Sequence, residues 1–86
     1  MDINQLIAIV KKKIKSEIKI EDIFIEDKSY LHKNHPNNQK GKFHLKVTIK
    51  SNQLLKMTKI ESNKRIYKIL DNEIKKFIHS IQILIN

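Results

Sequence analysis

The clearest metal-binding side chains in this sequence are its four histidines, His32, His35, His44 and His79. A neutral imidazole nitrogen is a common metal ligand, and histidine can replace cysteine on one iron of a [2Fe-2S] cluster. The chain contains no cysteine, so it forms no disulfide and supplies no thiolate to zinc or to an iron-sulfur cluster. Any sulfur ligand must therefore come from a partner molecule.

The positions of these histidines leave more than one role open. His32 and His35 form an H-x-x-H pair, but tight zinc binding needs a third close ligand, and a solvated pair in a loop also explains the spacing. His44 falls on the outward side of a predicted strand and is interpreted as structural. His79 begins another predicted strand, where half-buried packing is the alternative to a ligand role.

Positive charge is the second source of possible chemistry. The chain has 18 Lys and Arg residues against 9 acidic ones, a formal charge of +9. This excess favours anionic binding partners such as nucleic acids. The candidates are five residues on the polar side of a predicted helix: Lys64, Arg65, Lys68, Lys75 and Lys76. Only one of them is an arginine, the side chain that reads guanine with two hydrogen bonds, so base reading has few candidates. A solvated lysine-rich surface is the alternative interpretation.

Size and composition argue against an enzyme and against a membrane span. A chain of 86 residues has room for one domain and no deep cavity. We find no paired carboxylates, no Ser/His/Asp arrangement and no phosphate-binding glycine loop. The longest apolar run, residues 6–10, is far too short to cross a bilayer. The start Met1-Asp2 does not resemble a secretory signal, so we expect a cytosolic location. From the lack of catalytic arrangements we expect a protein that is not an enzyme.

The elements that position these residues are predicted from apolar spacing. Apolar residues at steps of three and four predict a helix over residues 2–16, with Asp2 as N-cap and Gln5 completing a capping box. Alternation predicts strands over 22–26 and 43–50. In the second strand the inward residues are Phe43, Leu45, Val47 and Ile49, and polar residues point outward, so helices should cover only one face of the sheet.

The rest of the chain is predicted as a loop, two helices and a strand. Residues 28–42 hold the only Pro and the only Gly and are predicted to form a mobile loop, either functional or disordered. A short helix with Leu54, Met57 and Ile60 precedes a longer one over 66–77, capped by Ser62 or Asn63.

The last predicted strand has an inner face that begins with a histidine and comprises His79, Ile81, Ile83 and Ile85. The element order is therefore helix, strand, strand, helix, helix, strand. This order predicts an α+β sandwich of two layers in a single domain over residues 1–86.

Several segments resemble the BolA family in register. Residues 27–32 resemble its D-x-S-x-x-H segment, and His44 with the three residues after it resembles the S-H-F-x-V segment at the start of a strand. Ser51 matches a strand-ending serine, residues 66–74 resemble the long helix, and residues 79–81 stand where the family has H-A-L. The resemblance covers residues 22–85.

The sequence also departs from the family pattern. The F-x-G turn of the family reads Leu-Leu-Lys at residues 54–56, and its R-H-R signature reads Ser-Asn-Lys at residues 62–64. The acidic-aromatic segment that comes after the last strand in the family is missing. The chain is therefore interpreted as a divergent, C-terminally short member.

The resemblance implies a fold and a function. The fold is the BolA variant of the type II KH fold, a three-stranded mixed sheet with helices on one face. Because the chain has a single glycine, Gly41, it cannot contain the G-x-x-G loop with which KH modules grip nucleic acid. The implied function is that of an adaptor, monomeric alone, that binds a monothiol glutaredoxin with glutathione and helps ligate or regulate a shared [2Fe-2S] cluster.

The resemblance also assigns roles to individual residues. It makes His79 a cluster ligand, His32 its second ligand and His35 the alternative if the loop shifts. The implied processes are iron-sulfur cluster assembly and trafficking, iron or redox regulation, and the stress response. The alternative function is transcription regulation, with DNA bound through the basic face of the long helix at Lys64, Arg65, Lys68 and Lys75.

Overall fold

Seven helices and strands make up residues 1–29 and 42–86, the part of the chain that this computed structural model describes. In chain order they are α1 (Ile3–Glu17), β1 (Asp22–Asp27), β2 (Phe43–Lys50), α2 (Asn52–Leu55), α3 (Lys59–Ile69), α4 (Asp71–Lys76) and β3 (Ile78–Ile85). The sheet order is β1-β2-β3, with β1 antiparallel and β3 parallel to β2. The predicted α+β fold with a three-stranded mixed sheet is confirmed.

Helix α1 begins as the capping box predicts. The backbone amide of Gln5 donates to Asp2 Oδ1 at 2.8 Å, and the amide of Asp2 donates to Gln5 Oε1 at 3.1 Å. These two bonds satisfy donors that the first turn of a helix otherwise leaves unpaired. The helix ends one residue later than predicted and buries Leu6, Val10 and Ile14.

The core lies between the helices and one face of the sheet. Across β1 and β2, Ile23 lies opposite Ile49 and Ile25 opposite Val47, and these four side chains are buried. Because side chains alternate along a strand, one face carries the apolar residues and the other stays open. In the described ranges, fourteen apolar residues are buried: Leu6, Val10, Ile14, Ile18, Ile23, Ile25, Leu45, Val47, Ile49, Leu54, Ile66, Leu70, Ile78 and Ile83.

The predicted start of the long helix was wrong. Helix α3 begins at Lys59, and its N-cap is Thr58, whose Oγ1 accepts from the amide of Glu61 at 3.1 Å. Ser62, one of the two expected caps, is 2% exposed inside the helix, and Asn63 lies there too. The T-x-x-E capping box explains the earlier start, because it satisfies two amides at once.

The two predicted helices of this half also divide differently. The short helix, α2, ends at Leu55 and includes neither Met57 nor Ile60, and Ile60 belongs to α3. The predicted single helix over 66–77 is two helices that meet at Leu70, where φ is −98° and ψ is 15°. Residues before and after Leu70 therefore lie on different helices.

The loop predicted over 28–42 is attached to β2 at its first residues. The amide of Lys28 donates to the carbonyl of His44 at 2.7 Å, and Ser29 Oγ accepts from the amide of His44 at 3.0 Å. The middle of that predicted loop, residues 30–41, lies outside the described residues.

None of the helices in the described ranges has the length and hydropathy that a membrane span requires.

Candidate functional site

Two histidines meet where β3 begins beside β2. His44 on β2 and His79 on β3 have ring centroids 4.9 Å apart, with their planes tilted by 48°. The register explains the contact: Phe43 pairs with Ile78 but His44 pairs with Ser80. His79 is thus an extra residue in β3, as in a β-bulge, and a bulge often re-aims a side chain.

The bulge corrects the predicted inner face of β3. His79 was expected to begin that face, but its side chain is exposed. Ile78, which is 2% exposed, takes the inner position instead. The isoleucines at 81, 83 and 85 line that face as predicted. The exposed imidazole of His79 can supply one nitrogen ligand to a metal held mainly by another molecule.

His44 is held more firmly than its neighbour. It lies on the side of β2 opposite the core, as predicted, yet it is only 5% exposed. Its Nδ1 lies 2.6 Å from Ser80 Oγ, and its backbone amide donates to Ser29 Oγ. A buried ring with a short hydrogen bond has few orientations available. The His44 ring therefore keeps a fixed orientation beside His79.

The described residues contain no complete metal site. Within residues 1–29 and 42–86, no group of three or more His, Asp or Glu side chains could hold a metal ion. The other two predicted ligands, His32 and His35, lie outside this part of the chain. The structure therefore brings His79 together with His44, and the predicted pairing of His79 with His32 or His35 stays a prediction.

The predicted basic face is split between two helices. Lys64, Arg65 and Lys68 lie on α3 and are exposed, whereas Lys75 lies on α4 and its Nζ pairs with Asp71 at 3.0 Å. The three α3 residues thus share one helix, whereas Lys75 lies on the next helix and has an acidic partner.

Arg65 lies at the boundary of this basic surface. Its Nη2 donates to the backbone carbonyl of Glu17 at 3.3 Å, at the C-terminal end of α1. Together with Lys13 and Lys68 it lines a groove between α1 and α3. The groove places positive side chains from two helices on one side of the molecule.

A half-buried ion pair in the helical layer was not predicted from the sequence. Lys13 Nζ on α1 lies 2.7 Å from Glu73 Oε2 on α4, and the side chain of Glu73 is only 5% exposed. Its Oε1 is buried and has no hydrogen-bond partner among the described residues. The burial of Glu73 had a signal in the sequence, because Glu73 continues the inward spacing of Ile66 and Leu70, but its pairing with Lys13 had none.

The environment of Glu73 favours its charged form. Burial is the largest single influence and acts to raise the pKa of this carboxyl. Hydrogen bonds from Lys13, from its own backbone amide and from Asn72, together with the charge of Lys13, outweigh burial and hold the pKa below the ordinary value of 4.5. The pair therefore joins α1 to α4 as a charged contact at neutral pH.

Comparison with known families and proteins gives consistent matches. The model of the family described as "BolA-like protein" matches residues 14–86. The Haemophilus influenzae protein named "DNA-binding transcriptional regulator BolA" is 30% identical over 73 residues, which are 85% of this chain and 68% of that protein.

Solved structures show the same fold. The BolA domain of SufE1 and BolA1, both from Arabidopsis thaliana, superpose with TM-scores of 0.77 and 0.75 at 23% identity, covering 92% of this chain and 87% of each of those chains. BolA1 from Mus musculus superposes with a TM-score of 0.71 at 17% identity, covering 90% of this chain and 60% of that one. At these identities the likeness concerns the fold alone.

Proposed function

This chain belongs to the BolA-like family, and on that premise we propose that it is an adaptor that binds a monothiol glutaredoxin carrying glutathione and helps ligate or regulate a shared [2Fe-2S] cluster. The observation that carries the proposal is the exposed imidazole of His79, turned outward by the bulge in β3. The proposed processes are iron-sulfur cluster assembly and trafficking, or iron and redox regulation.

The residues of this chain fit a shared cluster but not one of its own. With no cysteine in the chain, the sulfur ligands come from glutaredoxin and glutathione, and this chain adds imidazole nitrogen. A bound [2Fe-2S] cluster supplies one-electron redox chemistry, with a potential that rises when histidine replaces cysteine. His79 is the proposed ligand, and His32, or His35 in its place, is the proposed second ligand.

His44 and Ser80 support the ligand role of His79. The His44 ring packs 4.9 Å from the His79 ring, and the 2.6 Å contact with Ser80 holds it in place. A neighbour that restricts an imidazole lowers the entropy lost when that imidazole binds. These two residues would therefore restrict the orientation of the His79 ring.

Spectroscopy of the mixed complex tests the ligand assignment. The purified chain is titrated into cluster-loaded monothiol glutaredoxin, and visible absorption and circular dichroism are followed. We expect a spectral change that His79→Ala abolishes and that Gln82→Ala, another exposed position on β3, preserves. Far-UV circular dichroism of both variants checks the fold. A spectral change that survives in His79→Ala contradicts the assignment.

DNA binding is the second candidate, and one comparison favours it. The Haemophilus influenzae relative is named a DNA-binding transcriptional regulator, and Lys64, Arg65 and Lys68 form an exposed basic surface on α3. Such a surface contacts mainly phosphates, so binding should weaken steeply with salt. The α4 residue Lys75 should contribute less, because Asp71 already pairs with it.

Charge reversal tests this alternative with a matched control. The triple variant Lys64→Glu, Arg65→Glu, Lys68→Glu is compared with a variant carrying Lys12→Glu, Lys15→Glu and Lys19→Glu, which changes the net charge equally on other exposed positions. Binding to a mixed-sequence duplex is measured across a salt series. Loss only in the α3 variant supports a DNA surface on α3, and equal loss in both variants contradicts it.

The remaining predictions concern activity, location and assembly. The relative whose name states a function is a regulator, which is in line with the predicted lack of enzymatic activity. The cytosolic location and the monomeric state stay predictions.

A further inference from the structure

Among the residues that the structure describes, strand β3 forms one edge of the sheet, and part of its backbone has no strand partner there. The amide of Asn86 donates to the carbonyl of Ile49 on β2 at 2.8 Å. Peptide groups alternate in direction along a strand, so those of Ile83 and Ile85 point to the opposite, open side. Within residues 1–29 and 42–86, no hydrogen bond reaches the open side at these two residues.

A groove of about 380 Å³ runs beside this edge. The end of α2 and the start of α3 form its far wall, with Leu55, Met57 and Asn63 among the lining residues, and Leu84 lies on the strand side. Leu55 is 53% exposed and Leu84 38% exposed. The groove thus combines unpaired backbone with apolar side chains.

Helix α3 runs along the edge for two of its turns. Lys59 and Asn63 line the groove, and Tyr67, four residues later, donates from its hydroxyl to the carbonyl of Ile81 at 3.4 Å. The tyrosine closes the edge at Ile81. The open stretch is therefore short and lies at the far end of β3 from His79.

Charge selects between the possible occupants of the groove. The chain carries a net charge of +9, so a second copy would meet a strongly positive surface and be repelled. Lys59 lines the groove and Lys56 is exposed next to Leu55. An acidic segment would instead be attracted to this part of the surface.

We propose that the open edge of β3 and the adjacent groove bind an extended segment of a partner protein in which apolar and acidic residues alternate. The segment adds a strand to the sheet, pairing its backbone with Ile83 and Ile85. The apolar side chains of the added strand face Leu55 and Met57, and a carboxylate at the end of the segment lies near Lys59, at the start of α3. This binding site goes beyond the cluster and DNA functions and does not depend on His79.

Nuclear magnetic resonance tests the proposal with a defined probe, the peptide acetyl-Glu-Val-Glu-Ile-Glu-Val-Glu-amide. We expect its addition to shift the amide resonances of Leu55, Lys59, Ile83 and Ile85 and to slow hydrogen exchange at the last two. A version of the peptide that is N-methylated at alternate residues should not bind, because strand addition needs its amide donors. A version with Gln in place of Glu should bind more weakly, because it lacks the charges that Lys59 attracts.

Two pairs of variants distinguish binding at this site from non-specific binding of the peptide elsewhere on the surface. Leu55→Ser should weaken peptide binding about tenfold, the effect of losing roughly 1.4 kcal/mol, whereas Phe24→Ser, at a similarly exposed position on the open sheet face, should not. Lys59→Glu should weaken binding more than Lys12→Glu.

Three outcomes overturn the proposal. The first is no resonance shift up to about 1 mM peptide, the weak limit for such sites. The second is equal binding of the N-methylated peptide. The third is a concentration-dependent shift of Ile83 and Ile85 in the chain alone, which would assign the edge to a second copy of this chain.

Discussion

The covered and the open face of the sheet differ in what their residues do. On the covered face, Val47 and Ile49 are completely buried and contribute mainly to stability. On the open face, neighbouring positions are polar or exposed: Phe24 is 59% exposed, and the exposed His79 lies at the edge. The sheet therefore separates the residues that hold the fold together from those available to a partner.

Each side of the sheet also contains an exception to this division. The helical layer over the covered face contains the charged Glu73, paired with Lys13. The open face contains His44, which is buried beside Ser80. Both are buried polar groups held by a short contact, and such groups are costly to leave unpaired. Substitutions at these positions test how sharply the two faces differ.

The largest effect is expected on the covered face. Ile49→Ala removes a fully buried side chain and should lower the free energy of unfolding by about 2–5 kcal/mol. Its open-face counterpart, Phe24→Ala, should change it by less than about 1 kcal/mol. Urea denaturation followed by far-UV circular dichroism measures both. Similar losses in the two variants would contradict the division between the faces.

The next effect concerns the ion pair between α1 and α4. Lys13→Met leaves the Glu73 carboxylate buried without its partner and should cost about 1–3 kcal/mol of unfolding free energy. Adding Glu73→Leu should restore much of that loss, because apolar residues often replace a buried pair without penalty. The same denaturation experiment measures the single and double variants. A double variant as unstable as the sum of its single changes would contradict a direct coupling.

A smaller effect is expected at the exception on the open face. Ser80→Ala removes the 2.6 Å contact to His44 and should cost about 0.5–1.5 kcal/mol, the usual net worth of one hydrogen bond. Gln82→Ala, the next outward position on β3, serves as the control and should be nearly neutral. Thermal unfolding compares the two. If both variants unfold at the same temperature as the wild type, the Ser80 hydroxyl does not hold His44 in place.

The smallest expected effect is a change in acid stability. The folded-state pKa of Glu73 lies below its ordinary value of 4.5. The contribution of its charged carboxylate to the free energy of unfolding is therefore fully present above about pH 4.5. That contribution is lost as the pH falls through the folded-state pKa. Glu73→Gln, which cannot titrate, should show a flatter loss of stability with acid than the wild type. Denaturation between pH 3 and 7 measures the two slopes, and parallel curves would contradict the charged pair.

Helix α1 and strand β2 were predictable because their local signals agree with the final structure. The capping box at Asp2 and Gln5 and the alternation over β2 each involve residues close in sequence. The T-x-x-E box at Thr58 and Glu61 is just as local, but Ser62 gives a competing signal, because an equally regular apolar stretch begins four residues later at Ile66. The break at Leu70 has no local signal, since the apolar spacing continues through it.

The candidate site was predictable only as a set of residue types. The sequence identifies the absence of cysteine, the four histidines and the excess of lysine, and motif register links them to a family. The bulge that turns His79 outward depends on the pairing of β3 with β2, which involves residues more than thirty positions apart.

The chain alone therefore determines the order of its main helices and strands and the chemistry of its side chains, because periodicity and composition are local properties. The folded molecule decides which side chains meet: His44 with His79, and Lys13 with Glu73. The open edge of β3 likewise exists only because the sheet ends there. Such contacts arise from strand register and helix packing, which the spacing of residues along the chain does not specify.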